Sequence, residues 1–496
     1  GLVQDIITRI AKLRSVRVTA RGSVFALSER GLDDGQAARL LEVDYVAVNV
    51  PLEHPAQTSS DTVLMILMIL GLLTLAGLLK SHGVRVSYID CLDRFHPKAP
   101  PADPFARCGR GPYLKSQIYR PRGLEDVQRR FCRYGIKPGW LVEDLQRLPI
   151  PDLILLTSLM TYWYTGVQET IAVVRGIYPQ TPLILGGIYA SLCTDHARKH
   201  SGADDIVTGP AEEAVFDRIA QHTKYRATTR FDPQNLDTYP YPAFDLQNCI
   251  NYVPLLTSRG CPFKCTYCAS HFLSPTRLWR SAESVIEEIK FWHQTHRIKD
   301  FVLYDDAFLV DAEGHALPLL EKIIQADLGL RFHTPNAVHI RSLTAETAQL
   351  LFKSGFTTLR LGLETAEFDA RDEIDHKVTQ ADFEEAAKNV KAAGFSKTQV
   401  GAYLLMGLPG QNLAAVERSI RTVQAAGITP ILAYYSPIPH TALWPAALRT
   451  SSYDLEADPI LVNVNHLVRD KEYEVYVDRG ILGASLVEVD TIEARL

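Results

Sequence analysis

Residues 258–270 read SRGCPFKCTYCAS, and they place Cys261, Cys265 and Cys268 within eight consecutive positions. No further cysteine follows downstream in the sequence. A structural zinc ion or a closed iron–sulfur cluster takes four protein ligands. The CxxxCxxC loop is too tight for a zinc finger and suits three irons of a cubane, whose fourth iron stays open for a substrate or cofactor. Three ordinary buried thiols, or a zinc ion completed by a distant histidine such as His271, are the alternatives.

The cysteine loop follows the first of six β/α units in the sequence pattern. Strands are predicted at 254–258, 300–304, 330–333, 358–362, 399–405 and 431–435, and helices at 281–295, 313–326, 344–354, 380–393 and 412–426. Six units of this length predict a partial (β/α)6 barrel over 251–440, followed by a tail or small subdomain at 441–496. Ligands of such folds bind at the carboxyl ends of the strands. The three cysteines are therefore expected at the mouth of the barrel.

Another α/β pattern precedes the barrel at 41–225. Strands are predicted at 45–50, 84–90, 152–158, 182–187 and 204–209, and helices at 70–82 and 167–177. Strands buried on both faces and separated by helices predict a doubly wound, Rossmann-like parallel sheet. Residues 92–150 interrupt the pattern as an irregular lid, and the proline-rich residues 226–250 are expected to link the domains. Residues 1–40 form an N-terminal extension of unknown role.

One apolar segment, 63–79, reads VLMILMILGLLTLAGLL, with Thr74 as its single polar residue. Its length approaches the roughly 20 apolar residues of a membrane span. The alternative is a helix buried on all sides of an α/β domain, where Gly71 and Gly77 would allow close packing. A turn and a strand pattern follow at once, so we expect the buried helix and no membrane partner.

The composition is that of a globular protein: of 496 residues, 46% are hydrophobic and 22% are charged. The formal net charge is −5, and nothing indicates the clustered basic surface that nucleic-acid binding requires. Eight cysteines in a chain of this length do not form the dense pattern of a secreted disulfide framework. We therefore expect a cytoplasmic protein with no nucleic-acid partner.

The motif CPFKCTYC, with the aromatic Tyr267 before its last cysteine, resembles the cluster loop of radical S-adenosylmethionine (SAM) enzymes. The resemblance covers about residues 250–440. It implies a [4Fe–4S] cluster on Cys261, Cys265 and Cys268, with the fourth iron chelated by the amino and carboxylate groups of SAM. One electron from an external reductant of flavodoxin or ferredoxin type would then cleave the sulfonium C–S bond. The products would be methionine and a 5′-deoxyadenosyl radical that abstracts hydrogen from a substrate, whose identity the sequence does not reveal.

Motifs at two other strand ends fit the same resemblance. In YDDAF, Asp305 and Asp306 resemble the family segment that positions the SAM amino group, because carboxylates accept hydrogen bonds from an ammonium. A solvated turn or a helix N-cap is the alternative for this pair. In RLGLET, Glu364 and Thr365 resemble the position that contacts the ribose hydroxyls. An ion pair between Arg360 and Glu364 is the alternative there.

The last two strand ends depart from the family pattern in one residue each. LLMGLPGQ resembles the turn in which glycines let the backbone approach adenine, here Gly407 and Gly410. The family's usual acid in this turn is replaced by Gln411, which weakens any role that depends on charge. YYSPIPHT resembles the final motif, with His440 where glycine is common.

The segment 41–225 resembles the cobalamin-binding domain often fused in front of this barrel, on motifs that include LILLTSLMT and PLILGGIYAS. The resemblance implies that Thr157, Ser158, Gly186 and Gly187 contact the nucleotide tail of the corrinoid. The Asp-x-His-x-x-Gly motif that ligates cobalt is absent, and the first strand lacks the usual Asn-Pro-Pro turn. His96 is a candidate lower ligand of cobalt, although we expect it to be a solvent-facing loop histidine.

These resemblances imply a radical SAM enzyme that methylates or rearranges an unactivated carbon with the help of cobalamin. In the methylating version, methylcobalamin gives its methyl group to a substrate radical. One alternative is a cobalamin-independent radical SAM enzyme whose degenerate N-terminal domain binds a substrate or partner. The other is a non-catalytic iron–sulfur or zinc-binding scaffold. Cleavage of SAM separates the scaffold from the enzymes, and bound corrinoid separates the two enzymes.

Overall fold

The computed structural model describes residues 60–104, 113–121, 123–124, 131–223, 226, 231–369, 375, 377–463 and 490–491. For residues 60–69, 213 and 490–491 it describes the backbone alone. The N-terminal extension at 1–40 and the predicted strand at 45–50 lie outside the described residues.

The N-terminal part is built around a parallel sheet of three strands in the order β3-β4-β5. Its elements are α1 Ser60–Ser81, β1 Lys115–Gln117, β2 Cys132–Tyr134, α2 Pro138–Arg147, β3 Ile154–Ser158, α3 Tyr164–Ile177, β4 Leu183–Gly186, α4 Gly187–Leu192, α5 Thr194–His200, β5 Asp205–Ile206 and α6 Ala211–His222. β1 and β2 form a separate antiparallel pair within the predicted lid. The predicted strands at 152–158, 182–187 and 204–209 and the helix at 167–177 are confirmed.

The predicted strand at 84–90 is wrong, because these residues join no sheet in the described part of the chain. Their alternation is real: Val84, Val86 and Tyr88 pack against the core while the residues between them are more exposed. Side-chain packing alone therefore accounts for the period of two that the sequence shows.

Helix α1 is the apolar segment that resembled a membrane span. From Leu70 onward its side chains are described, and Leu73 and Leu78 are fully buried. A Cβ atom on Gly77 would lie 2.5 Å from the carbonyl oxygen of Tyr241, so this glycine permits a close contact, whereas Gly71 faces open space. The buried helix is confirmed for its described side chains. Among the described residues, none of the helices combines the length and apolarity that crossing a bilayer requires.

The second part is a parallel sheet flanked by helices. Its strands are β6 Val253–Leu255, β7 Ser258–Arg259, β8 Leu278–Trp279, β9 Asp300–Leu303, β10 Arg331–His333, β11 Phe356–Glu364, β12 Val400–Met406, β13 Thr429–Tyr434 and β14 Asp490–Thr491. Its helices are α7 Ser270–Leu273, α8 Ala282–His296, α9 Leu317–Ala326, α10 Ala345–Lys353, α11 Gln380–Ala393, α12 Leu413–Ala425 and α13 Trp444–Thr450. The sheet order is β14-β13-β12-β11-β10-β9-β6, and every pair is parallel.

The six predicted barrel strands and five predicted helices are confirmed, with one difference. The first predicted strand divides in two: β6 pairs with β9, and β7 turns away to pair antiparallel with β8. This turn places the cysteine loop across the carboxyl edge of the sheet.

Local sequence signals explain where the barrel helices begin. Ser281, Thr344, Thr379 and Asn412 each precede a helix and accept a hydrogen bond from a backbone N–H of its first turn. At Thr379 the bond is reciprocated by Asp382, which forms a capping box. Each cap stabilises its helix by about 1 kcal/mol and fixes the residue at which it starts.

The barrel and the N-terminal sheet belong to one compact unit. Arg259, beside the cysteine loop, forms an ion pair with Glu212 of α6. His440 Nε2 contacts the carbonyl oxygen of Leu192 at 3.1 Å. The carboxyl edge of the barrel is thus bonded directly to the helices that follow β4 and β5.

Candidate functional site

The cysteine loop contains three free thiols in a largely buried setting. Cys265 is buried, and Cys261 and Cys268 are half-buried. The N–H of Cys268 donates to the carbonyl oxygen of Cys265 at 3.1 Å, and the N–H of Ser270 donates to Cys268 Sγ at 3.4 Å. Burial raises the pKa of all three thiols, to about 12 for Cys261. Without a metal these groups are neutral thiols, and metal binding would require their deprotonation.

Three free cysteine thiols are a donor set that suits an iron–sulfur cluster. Among the described residues, no group of three or more His, Cys, Asp and Glu side chains is arranged to hold one metal ion. In a cubane each thiolate binds a different iron, so the ligands lie farther apart than those of one ion. The N–H of Ser270 at Cys268 and the ammonium of Lys377 near Cys265 would both stabilise thiolate charge.

Lys377 is a member of the site that the sequence analysis missed. Its Nζ donates to the hydroxyl of Tyr267 at 3.2 Å and lies 5.6 Å from the Tyr267 ring centroid and 6.0 Å from that of Phe263. Burial lowers its pKa, but Cys265, Glu364 and further negative groups outweigh this and raise the pKa above its usual value. No spacing rule marks a lone lysine after β11.

Asp305 follows β9 and is only 2% exposed. Its Oδ1 accepts hydrogen bonds from Thr257 Oγ1 and Ser258 Oγ, each at 2.7 Å. His315 Nε2 contacts the same Thr257 hydroxyl at 2.8 Å. Asp305 Oδ2 is buried without a hydrogen-bond partner. The solvated turn considered for this residue is therefore wrong, and one carboxylate oxygen is left for a donor.

Asn336, after β10, is a second site residue that the sequence analysis missed. Its Nδ2 donates to the carbonyl oxygen of Tyr304 at 3.0 Å, beside Asp305, and its Oδ1 is buried without a partner. A buried acceptor without a donor costs about 1–3 kcal/mol. Two such acceptors at neighbouring strand ends fit a ligand with several N–H donors, as an ammonium group has.

Asp306 differs from its neighbour Asp305 in its surroundings. Burial, followed by the charge of Asp305, raises its pKa to about 7. Gly260 and Ser270, on either side of the three cysteines, act in the opposite direction and lower this pKa.

Glu364 ends β11 in a strained backbone conformation. Its φ is 65°, in the left-handed region, at a register shift between β11 and β12. The side chain is 1% exposed. Thr365 Oγ1 accepts from the N–H of Glu367 at 3.1 Å, and Arg360 donates to the carbonyl oxygens of Leu359 and Gln399. The hydrogen bonds of Arg360 thus go to backbone carbonyl oxygens, in contrast to the ion pair with Glu364 that was the alternative.

The glycine turn after β12 has the geometry that its sequence requires. Gly407 and Gly410 have φ values of 96° and 78°, and Gly410 faces open space. Gln411 Oε1 accepts from the N–H of Gly407 at 2.7 Å, and its Nε2 donates to the carbonyl oxygen of Leu405 at 3.0 Å. An amide both accepts and donates here, so it holds the turn without a charge.

His440 adopts the conformation expected of the glycine it replaces, with a φ of 67°. Its ring stacks on Phe272 with 4.3 Å between centroids and an interplanar angle of 3°. Phe272 belongs to α7, directly after the cysteine loop. His440 therefore joins the loop to the N-terminal part through Leu192.

The candidate corrinoid residues meet at the carboxyl ends of β3 and β4. A Cβ on Gly187, whose φ is 90°, would lie 2.4 Å from Thr157 Oγ1 and 2.6 Å from the carbonyl oxygen of Ser158. Gly187 therefore serves the packing of the strand ends. Gly186 has only an ordinary contact at 3.7 Å, and Gly209, after β5, has no atom within 4 Å of its Cβ position. Bare backbone at Gly186 and Gly209 fits the close approach of an extended ligand tail.

His96 is buried, at 6% exposure, so the expectation of a solvent-facing histidine is wrong. Its Nε2 contacts Asp144 Oδ2 at 3.0 Å, and its Nδ1 accepts from the N–H of Lys98 at 3.2 Å. The ring also stacks on Trp140, with 4.8 Å between the ring centroids. Both ring nitrogens are bonded within the protein, which is the arrangement of a structural histidine.

Two family models match the sequence, one in the N-terminal part and one in the barrel. Residues 139–217 match a B12 binding domain, and residues 255–423 match the radical SAM superfamily. The matches cover the three-stranded sheet and most of the barrel. They imply a [4Fe–4S] cluster, SAM and cobalamin as cofactors.

Curated relatives include an uncharacterized methyltransferase of Pyrococcus horikoshii, 25% identical over 60% of this chain and 70% of its own length. A cytidylyl-2-hydroxyethylphosphonate methyltransferase of Streptomyces wedmorensis is 20% identical over 78% of this chain and 79% of its own.

Among solved structures, a radical SAM methyltransferase from Kitasatospora setae with cobalamin and a [4Fe–4S] cluster bound has a TM-score of 0.53 and 16% identity. The alignment covers 66% of this chain and 76% of that one. At this identity the likeness shows the fold alone. The chain thus contains a match to the radical SAM superfamily at 255–423 behind a match to a B12 binding domain at 139–217.

Proposed function

We propose that this protein reductively cleaves SAM and transfers a methyl group to an unactivated carbon with the help of cobalamin. The observation that carries the proposal is the pair of unpartnered buried acceptors, Asp305 Oδ2 and Asn336 Oδ1, at the strand ends beside the cysteine loop. When bound, the cluster would supply the electron that cleaves SAM, and cobalamin would supply a carrier for the methyl group.

The chain's own residues have distinct tasks in this proposal. Cys261, Cys265 and Cys268 would hold the cluster. Asp305 and Asn336 would accept hydrogen bonds from the ammonium of SAM, which removes the cost of leaving both acceptors unpaired. A charged donor suits a carboxylate more than water does, because charge-assisted hydrogen bonds are about twice as strong as neutral ones.

Other strand ends would hold the rest of SAM. Glu364 combines a buried side chain with a left-handed backbone at the end of β11, and its carboxylate would bond the ribose hydroxyls. Gly407 and Gly410 would leave room for the adenine ring. Thr365 Oγ1 already accepts a backbone hydrogen bond, so we expect it to contribute less than Glu364 to the affinity for the ribose.

Contacts between the two parts support a role for the N-terminal sheet in the same reaction. The ion pair of Arg259 with Glu212 and the contact of His440 with Leu192 bond the cysteine-loop side of the barrel to helices after β4 and β5. Methyl transfer is also the activity that the names of the Pyrococcus horikoshii and Streptomyces wedmorensis relatives state. Gly186 and Gly209 would let the corrinoid tail pass between the strand ends, with Thr157 and Ser158 beside it.

The reaction would take place in the reducing cytoplasm, with a flavodoxin- or ferredoxin-type protein as the electron donor.

Anaerobic isolation followed by reconstitution with iron, sulfide and hydroxocobalamin tests the proposal. The protein should retain corrinoid through gel filtration, show a base-off absorption spectrum, and convert SAM to S-adenosylhomocysteine when reduced. The base-off form is expected because both ring nitrogens of His96 are engaged and the cobalt-ligating motif is absent. A protein that makes 5′-deoxyadenosine but retains no corrinoid would refute methyl transfer and leave the cobalamin-independent enzyme.

A further inference from the structure

Lys377 reaches into the cysteine loop from the segment after β11. Its ammonium donates a hydrogen bond to the Tyr267 hydroxyl at 3.2 Å, and Cys265 is among the groups that act on its charge. The rings of Phe263 and Tyr267 flank it, and Tyr267 is itself only 3% exposed. The lysine therefore lies against two aromatic residues of the cysteine loop, Phe263 and Tyr267.

The charges around Lys377 show what it does there. Glu364 and Asp375 lie near enough to favour its charged form, together with Cys265. Its hydrogen bond to Tyr267 goes to the cysteine loop, and its charge also acts on Cys261 and Cys268. Lys377 is thus a cation shared by all three thiols.

We infer that Lys377 is a positioning residue whose fixed positive charge, held against the cysteine loop, makes the cluster easier to reduce. Reduction adds one electron, and so one negative charge, to a cluster that three thiolates already make negative. Hydrogen bonds to sulfur and nearby charge are among the factors that set such potentials. No covalent bond forms or breaks at the lysine. The inference rests on the proposed [4Fe–4S] cluster at these cysteines.

The experiment compares the full-length wild type with Lys377→Met, Lys377→Arg and Lys388→Met after anaerobic reconstitution without SAM. Lys388 is an exposed lysine of α11 and serves as the matched control. Iron content is measured first. The reduced cluster is then followed by electron paramagnetic resonance during a potentiometric titration with dithionite.

Lys377→Met should bind as much iron as the wild type, but its ratio of reduced to oxidised cluster at a fixed potential should fall about tenfold, or about 59 mV for a one-electron couple. Lys377→Arg keeps the charge, so its reduction potential should lie close to that of the wild type. Lys388→Met should have the wild-type potential. An unchanged potential in an iron-loaded Lys377→Met overturns the inference.

Two further outcomes are decisive. If Lys377→Met loses iron, Lys377→Gln replaces it, since the amide keeps a donor for the Tyr267 hydroxyl but removes the charge. Loss of iron in both neutral variants would mean a structural role and would overturn the inference. A wild type that holds no iron would refute the proposed cluster itself, and the inference with it.

Discussion

Strand β9 has an aspartate at its amino end and another just beyond its carboxyl end, and the two have different surroundings. Asp300 accepts from Arg331 Nε at 2.7 Å and contacts His333 Nε2 at 3.1 Å. Asp305 is equally buried, but one of its oxygens has no partner. The fold supplies hydrogen-bond partners for Asp300, whereas it leaves one oxygen of Asp305 without a partner.

The same difference extends along the two edges of the sheet. The carboxyl edge also contains the unpartnered Oδ1 of Asn336, the left-handed backbone of Glu364 and the buried thiols around Lys377. Groups of this kind destabilise a fold unless a ligand completes them. In parallel α/β sheets the carboxyl edge is where ligands bind, so the unpaired groups mark the site.

The largest effect should come from the loop itself. Replacing Cys265 by Ala removes one of three iron ligands, so reconstituted protein should lose its cluster, which is about four irons per chain in the wild type. Cys249→Ala, outside the loop, is the matched control and should keep full iron. Equal iron in both variants would show that the cysteine loop is not the cluster site.

Next in size, Asp305→Asn should weaken SAM binding by about 10- to 100-fold with the cluster retained. Thr257 and Ser258 both donate to Oδ1, so an asparagine would keep its oxygen there and turn its NH2 toward the ammonium. Isothermal titration of the iron-loaded protein measures the change. Asp300→Asn, at the other end of β9, should bind SAM normally, and equal weakening in the two variants would remove the contrast between the edges.

A comparison within the N-terminal sheet should give a smaller and more selective effect. Gly186→Val meets only an ordinary contact on an extended backbone, so the protein should fold and bind iron but retain less corrinoid on gel filtration. Gly187→Val would clash with Thr157 and Ser158 at positive φ, and should instead lower the melting temperature. Full corrinoid retention by Gly186→Val would exclude the tail from this strand end.

The smallest effect concerns Asp300 and pH. Burial opposes its charge, but His333 and Arg331 outweigh this and lower its pKa to about 2. Its stabilising effect is therefore complete above the usual pKa near 3.8 and is lost as the pH falls through 2. Asp300→Asn should cost at most about 2 kcal/mol at pH 7. The difference in melting temperature from the wild type should shrink between pH 4 and pH 2, and a constant difference would contradict the pairing.

The fold followed from sequence because periodicity and caps act locally. The helix predicted at 380–393 has those bounds in the structure, where Thr379 and Asp382 form its capping box. The strand at 84–90 failed because alternation reports which side chains are buried and not whether a backbone partner exists. The split of the first barrel strand depended on β8, a partner some twenty residues away that no local signal announces.

The site was predictable only where its residues form a motif. Cys261, Cys265 and Cys268 stand out by spacing, and Asp305 by its place after a strand. Asn336 and Lys377 are single polar residues in loops, and only the fold brings them to the cysteine loop. Sequence also could not separate Asp305 from Asp306, since their difference lies in the partners that surround each carboxyl group.

The central claim is that the carboxyl edge of the barrel binds SAM at a three-cysteine cluster and cleaves it. The most direct test is to incubate anaerobically reconstituted protein with SAM and dithionite and to measure 5′-deoxyadenosine by mass spectrometry. The wild type should form 5′-deoxyadenosine and methionine, and Cys265→Ala should form neither. An iron-loaded wild type that leaves SAM intact, or a Cys265→Ala variant that still cleaves it reductively, would contradict the account.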